Sequence, residues 1–351
     1  MENTFLPPVL DELGMDGHVS PFENASTFIH IAGESPEMTA YRRLMSPTAS
    51  LQVGGFVIRT GWDWLREAQL KPAPRDLWQE RGMVYENECT CIFSDTNVGK
   101  SVLAVQIGLD IARGGEQNVL YFDYELSERQ FAARYIAQEG DLLDMPDNFF
   151  RAQMSDLLNH TELEQDPVER VMEAIAQTAA DVVIIDNITW LANNTEQGDV
   201  AGELMMRLCE MKRRGSLTII VIAHTPKRPQ CQPITLNDIG GSKKIANFMD
   251  SVVAMGRSSQ GEDIRYVKHL KARNGSIKHG GDNVLVCRMT KEGGYVHLEP
   301  IGTDSETKHL RNERVDLDEL RQLKAQGMSL RQIAERVGMS KSRVQQLVPG
   351  Q

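Results

Sequence analysis

The residues best suited to chemistry are a run of nine: Ser94, Asp95, Thr96, Asn97, Val98, Gly99, Lys100, Ser101 and Val102. They follow an apolar strand ending at Phe93 and open a helix dense in Val, Leu and Ile. At such a strand–loop–helix junction, free backbone N–H groups and the positive end of the helix dipole converge on one point, where an anion fits. Gly99 lets the backbone come close to a phosphate, Lys100 adds a point charge for the outer phosphates, and Ser101 offers a hydroxyl to Mg²⁺. The run matches G-x-x-x-x-G-K-[ST] except that Ser94 holds the place of the first glycine, which Ser can do if its φ stays negative. The plainer alternative is a polar loop ahead of a core helix.

Hydrolysis of a bound triphosphate also needs a metal carboxylate and a group to activate water. Asp181-Val182-Val183-Ile184-Ile185-Asp186 is an apolar strand tipped by an acid, which would deliver Asp186 as the second metal group beside Ser101. The alternative is an aspartate that caps the next turn. Val119-Leu120-Tyr121-Phe122-Asp123-Tyr124-Glu125 ends in two acids two apart, and alternation puts both on one face. Glu125, nearer the strand's C-terminal end, is the expected base; the alternative for either acid is a favourable charge at the next helix N-terminus.

The elements that must position these residues follow an alternating rhythm. Strands are expected at 89–93, 118–123, 182–186 and 217–223, and helices at 100–113, 127–139, 167–178 and 200–214. This is an α/β domain with a mostly parallel sheet between helix layers. Shorter alternating stretches at 251–256, 263–270, 283–288 and 295–298, with glycine-rich turns, read as antiparallel strands added at one edge. Residues 1–74 form an extension with weak periodicity, in which 28–31 and 56–58 could be strands and 63–70 a helix. The strand pattern stops at Ile301, so the expected division is 1–74 extension, 75–300 main domain, 301–314 linker and 315–351 a small all-α module.

Composition is that of an ordinary soluble protein, 41% hydrophobic and 25% charged, with no apolar run of membrane-spanning length. The first residues have neither a basic start nor an apolar core, so no signal peptide and a cytoplasmic address are expected. Five cysteines without a second metal-ligand pair read as reduced, buried thiols. A net charge of −11 excludes nucleic-acid binding over the whole surface; any such contact must be local and salt-sensitive.

In the order of these motifs, with Ile219-Ile220-Val221-Ile222-Ala223-His224 as a further core strand, residues 75–300 resemble the RecA-like P-loop ATPases. They are most similar to the hexameric replicative helicases of the RepA and DnaB-like group. The resemblance implies ATP and Mg²⁺ as cofactors and makes His224 a sensor of the γ-phosphate. It makes Lys271 and Arg273, in Lys271-Ala272-Arg273-Asn274-Gly275, a cationic finger reaching the neighbouring subunit's ATP. Otherwise His224 would be a structural strand-end residue, and Lys271 and Arg273 an exposed, solvated pair. A finger acting in trans implies a homo-oligomer, a hexameric ring or a filament.

The loops after Asp186 and His224 would then face single-stranded DNA. The first, 193–199, has no positive charge; the second carries Lys227 and Arg228, with Lys243 and Lys244 beyond it.

The C-terminal stretch holds three short helical patterns, two of them Ser-capped, with Gly338 at the turn between the last two. It resembles the helix-turn-helix of resolvases and sigma factors. The third helix would present Ser340, Lys341, Ser342, Arg343, Gln345 and Gln346 to a duplex major groove. From Asp316 onward six Lys/Arg stand against four Asp/Glu, a local +2. A helical protein-interaction module is the alternative. The whole reads as an ATP-driven, helicase-like DNA motor. The second reading is an ATP-switched regulatory or accessory protein for replication or recombination, belonging to a plasmid, phage or mobile element. The third is a scaffold that keeps only the fold.

Overall fold

A computed structural model describes residues 35–36, 50–78, 81–136, 145–154, 166–188, 200–214, 217–226, 228–239, 243–291, 295–311, 313–337 and 341–348. The chain divides into two units, Met1–Ala73 and Pro74–Gln351.

The first unit holds a hairpin, β1 (Leu51–Val53) and β2 (Phe56–Ile58), turned by Gly54 and Gly55 at positive φ, and helix α1 (Gly61–Leu70). Thr60 caps α1 by accepting from the Asp63 amide. The expected strand and helix near 56–58 and 63–70 are therefore present; 28–31 lies outside the described residues.

The second unit is built on a sheet of nine strands among the described residues. They are β3 (Cys89–Ser94), β4 (Val119–Asp123), β5 (Phe149–Ala152), β6 (Val182–Asp186), β7 (Thr218–His224), β8 (Ser251–Arg257), β9 (Ile264–Ala272), β10 (Val284–Thr290) and β11 (His297–Asp304). Their order is β11-β10-β9-β8-β3-β7-β6-β4-β5. From β8 to β5 all neighbours are parallel; β9, β10 and β11 add antiparallel strands at one edge. Every residue of β3, β4 and β6 is buried, as continuous apolar strands covered on both faces must be.

One face packs a core containing Phe93, Leu120, Ile185 and Val221, the other a core containing Ile92, Tyr121, Ile184 and Ile222. Helix α2 (Lys100–Arg113) fills the second, burying ten of its fourteen residues. Helices α3 (Glu128–Tyr135), α4 (Pro167–Thr178), α5 (Val200–Arg213) and α6 (Lys243–Phe248) complete the layers. The architecture is the mostly parallel α/β, RecA-like fold expected.

Two boundaries differ from expectation. Sheet strand β5 was not expected, because four half-buried residues give no measurable alternation. The linker expected from 301 is strand as far as Asp304, and Glu306 and His309 then bury themselves against the sheet. Strand β11 is an exposed edge whose Pro300, Gly302 and polar residues carry no inward-outward pattern.

Beyond it come α7 (Glu313–Ala325), α8 (Leu330–Val337) and α9 (Lys341–Leu347). Leu320, Leu323, Ile333, Ala334, Val344 and Val348 give these three helices a core of their own. Gly327, at φ +81°, lets the chain leave α7.

Candidate functional site

The loop from Ser94 to Gly99 joins β3 to α2 at the C-terminal edge of the parallel strands, where α/β folds bind ligands. Ser94 is buried and is not among the residues with positive φ, so serine meets the condition that lets it replace glycine. Asn97 and Gly99 do take positive φ, 60° and 118°. The φ of Gly99 is the left-handed kind that favours glycine, and a Cβ there would also lie 2.5 Å from the end of the Met289 side chain, which would have to move.

Lys100 is 6% exposed and its ammonium is bound locally. It donates to the carbonyls of Ser94 and Asp95, both at 3.0 Å, and lies 3.2 Å from Nδ1 of His224. Burial lowers its pKa, while Asp186, Glu125 and Asp95 pull the other way. These partners are neutral except for carboxylates held at a distance. A phosphate could replace them with charge-assisted bonds.

Strand β7 lies between β3 and β6, so Asp186 is two strands from the loop rather than next to it. It still meets the Ser101 side chain, which hydrogen-bonds to its carboxylate, and it accepts from the Tyr121 hydroxyl at 2.8 Å. Asp186 is 1% exposed, and burial pushes its pKa up to about 6 against those two bonds. A serine hydroxyl and a buried carboxylate are the hard oxygen donors a Mg²⁺ ion takes.

Of the two acids near the end of β4, only one is free for chemistry. Asp123 accepts from the amides of Glu125 and Leu126 and is paired with Arg151 at 2.9 Å. Glu125 lies past the end of β4, so strand alternation does not orient it. Its Oε1 meets Nε2 of His224 at 3.0 Å and also accepts from the Asn187 side-chain amide. With Lys100 donating to Nδ1 of His224, Nε2–H and Asn187 can both donate to Glu125, and the 3.0 Å approach of the Asn187 amide nitrogen to Nε2 is then not a hydrogen bond. The hydrogen bond from His224 and, against burial, the bonds from Asn187 and the charge of Lys100 hold Glu125 below the usual carboxylate range. Lys100, Ser101, Glu125, Asp186 and His224 thus gather at one sheet edge.

Sequence reasoning missed Asn187, joined to Asp186 by a cis peptide, and Thr225, whose hydroxyl donates to Asp95. The polar residues that follow two strand ends were the available signal.

Lys271 and Arg273 are not with this group. Strand β9 runs against β8, with Ala272 opposite Ser251, so both sit at the other edge of the sheet. Lys271 is half-buried rather than exposed and donates to the Ala246 carbonyl. Arg273 is exposed but paired with Asp250 at 2.9 Å. Arg228, expected to face DNA, is turned inward: its side chain is 9% exposed, donates to the Gln232 carbonyl and lies 3.9 Å from Asp238. The loop's own carbonyls and acid outcompete solvent for the guanidinium.

Loop 193–199, Lys227 and Ser340 lie outside the described residues; Lys243 and Lys244 fall on α6, and Ser342, Arg343 and Gln346 on α9. Lys341 and Gln345 of α9 are exposed. The five cysteines are free thiols, four of them buried. No helix among the described residues is long and apolar enough to cross a membrane.

Residues 57–230 match a family model described as an AAA domain, AAA_25. The match takes in the phosphate loop, Glu125, Asp186 and His224 and ends before β8. No curated protein matches the chain. A solved KaiC-like protein from the hyperthermophilic archaeon Pyrococcus horikoshii OT3 is similar at 13% identity and a TM-score of 0.44, over 62% of this chain and 91% of that one. The matched residues, just under half of the chain, are similar to an AAA domain of the AAA_25 type, and they hold the loop, the buried aspartate and the glutamate that converge on one sheet edge.

Proposed function

We propose that this protein is an ATP-dependent DNA-binding motor of the helicase-like kind, hydrolysing ATP at the subunit interfaces of a homo-oligomeric ring. One observation carries the reading. Lys100 is linked through His224 to Glu125, so the groups that would feel the γ-phosphate and aim the water form one hydrogen-bonded chain.

The residues present fit ATP and Mg²⁺: Gly99 has no Cβ, Lys100 has only neutral acceptors of its own loop and His224, and Ser101 touches Asp186. Lys100 and the loop amides would hold the phosphates; Ser101 and Asp186 would hold the metal. Bound there, Mg²⁺ neutralises charge that develops on the phosphate oxygens. Glu125 orients the attacking water and accepts its proton. His224 exchanges its bond to Lys100 for one to the γ-phosphate, which shifts the position of Glu125 and of the loop after β7. Arg273 supplies positive charge to the neighbour's site, the three-helix unit anchors duplex DNA, and the ring encloses a single strand.

A second reading has a supporting observation. Arg273 is already paired within its own chain, which suits a protein whose assembly, rather than its turnover, answers to ATP.

The deciding measurement is ATP turnover by the intact protein and by Lys100→Ala, with and without single-stranded DNA. The motor reading expects turnover that single strands stimulate and that Lys100→Ala abolishes. Turnover indifferent to DNA, with duplex binding that depends on ATP, would replace it by the switch.

A further inference from the structure

Two arginines outside the residues matched by the AAA model touch the phosphate loop from behind. Arg257 ends β8 and Arg265 lies directly opposite it on β9. Arg257 donates to the Asn97 carbonyl at 2.7 Å, and Nε of Arg265 donates to the Val98 carbonyl at 2.8 Å. Arg265 is 6% exposed and spends another nitrogen on the carbonyls of Glu262 and Ile264, at 2.6 and 2.9 Å. Among the described residues neither guanidinium forms an ion pair.

Two like charges placed opposite each other across a ladder, one of them buried, repel and cost stability. Burial and the nearby Arg257 both lower the pKa of Arg265, yet an arginine stays charged. The arrangement has a use that peptide geometry supplies. A trans peptide is planar, and its C=O and N–H point in opposite directions. The Asn97 carbonyl shares its plane with the Val98 N–H, and the Val98 carbonyl shares its plane with the Gly99 N–H. Fixing the two oxygens toward β8 and β9 therefore fixes both N–H groups the other way. Those two amides belong to the part of the loop at positive φ, Asn97 and Gly99, where the backbone is otherwise least constrained.

We propose that Arg257 and Arg265 are positioning residues of the phosphate loop: by gripping the carbonyls of Asn97 and Val98 they turn the amides of Val98 and Gly99 toward the nucleotide's phosphates. This deepens, and rests on, the reading of the loop as an ATP site. Arg257 needs one donor for one exposed acceptor, a task a lysine can do. Arg265 reaches three carbonyls with a planar fork, a task a lysine cannot do.

The test uses the full chain with Mg²⁺ and a fluorescent mant-ATP probe for Kd, alongside steady-state turnover. Loop amides grip ground and transition state alike, so Arg257→Ala should raise Kd and KM roughly tenfold and leave kcat within about twofold. Arg257→Lys should bring KM back to within about threefold of wild type, and Arg265→Lys should not be rescued in this way. A merely structural role would lower kcat and thermal stability with KM unmoved, and that result in Arg257→Ala overturns the proposal. So does unchanged mant-ATP affinity in a folded Arg257→Ala protein whose wild type binds well. Wild-type protein that binds no mant-ATP would sink the ATP-site reading and this one together, which separates the two failures.

Discussion

At the edge of the sheet where the parallel strands end, Lys100, His224, Asn187 and Glu125 are joined in a chain, and Asp186 is buried against Ser101 and Tyr121 with no ion pair to it among the described residues. At the edge where those strands begin, Asp250 is paired with both Lys212 and Arg273 and accepts the Cys89 amide. Hydrogen bonds from Lys212 and the Cys89 amide overcome burial there and keep Asp250 below its ordinary value. Burial drives Asp186 the opposite way, to about 6. Two buried aspartates on one sheet have thus been given opposite environments. The one with its cations present is a fixture of the fold; in the proposed function the other is where the metal would sit.

The strongest way to break this contrast is at Glu125. Glu125→Gln keeps the shape and the bond from Asn187 but removes the base, so kcat should fall on the order of 10²–10⁴-fold while ATP binding survives. The pH profile sharpens the point. Glu125 is held below the usual carboxylate range, so it stays ionised as pH falls. Asp186, at about 6, gains its proton first. The acid limb of turnover should therefore lie near pH 6 and move to lower pH as Mg²⁺ is raised, because the metal competes with that proton. An acid limb below the ordinary carboxylate range that ignores Mg²⁺ would assign it to Glu125 instead.

Arg273 tests whether the second edge is only structural. Its side chain is 53% exposed, so losing its bond to Asp250 should cost under about 1 kcal/mol of stability. If it also serves a neighbour's ATP, Arg273→Ala should lower turnover on the order of 10³-fold. Mixing that variant with Lys100→Ala should then restore part of the activity, because some interfaces regain both groups. Full activity in Arg273→Ala would leave the residue to the ion-pair cluster alone.

The buried aspartate also makes a claim about stability. Its folded pKa, about 6, lies above the ordinary 3.8, so the folded chain holds the proton more tightly than the unfolded one. Stability from this source is full below the lower value and is lost as pH rises through about 6. At pH 7.5 without Mg²⁺, Asp186→Asn should therefore stabilise the protein by roughly 2–3 kcal/mol, seen as a higher Tm, while removing metal-dependent turnover. A lower Tm would mean that Tyr121 and Ser101 compensate the charge more fully than its raised pKa implies.

How much of this was legible beforehand follows from distance along the chain. The phosphate loop and the apolar strand tipped by Asp186 each depend on residues within one strand and its turn, whereas the alternation expected to orient Glu125 stops with β4 at Asp123. The partners of those residues depend on strand order. Arg257 reaches Asn97 across 160 positions, and Arg265 reaches Val98 across 167. No local pattern distinguishes them from Arg228, which turned inward. The strand expected at 295–298 runs on to Asp304 as β11, and that continuation hid because an exposed edge has no buried face to mark in the sequence.

The mildest test concerns the three-helix unit, whose core is separate from the two cores of the sheet. In the proposed function it holds duplex DNA through α9, where Lys341 and Gln345 are exposed. Lys341→Ala removes one phosphate contact, so duplex affinity should drop several-fold at low salt and the slope of log K against log salt should fall by about 1. Turnover at Lys100 should stay unchanged without DNA, since the substitution touches neither sheet edge. Gln345→Ala, by contrast, should weaken binding to the preferred sequence more than to random duplex, because glutamine reads base edges. If both variants bind duplex as well as wild type does, α9 faces a protein partner, and the charge excess of the C-terminal stretch serves that contact instead.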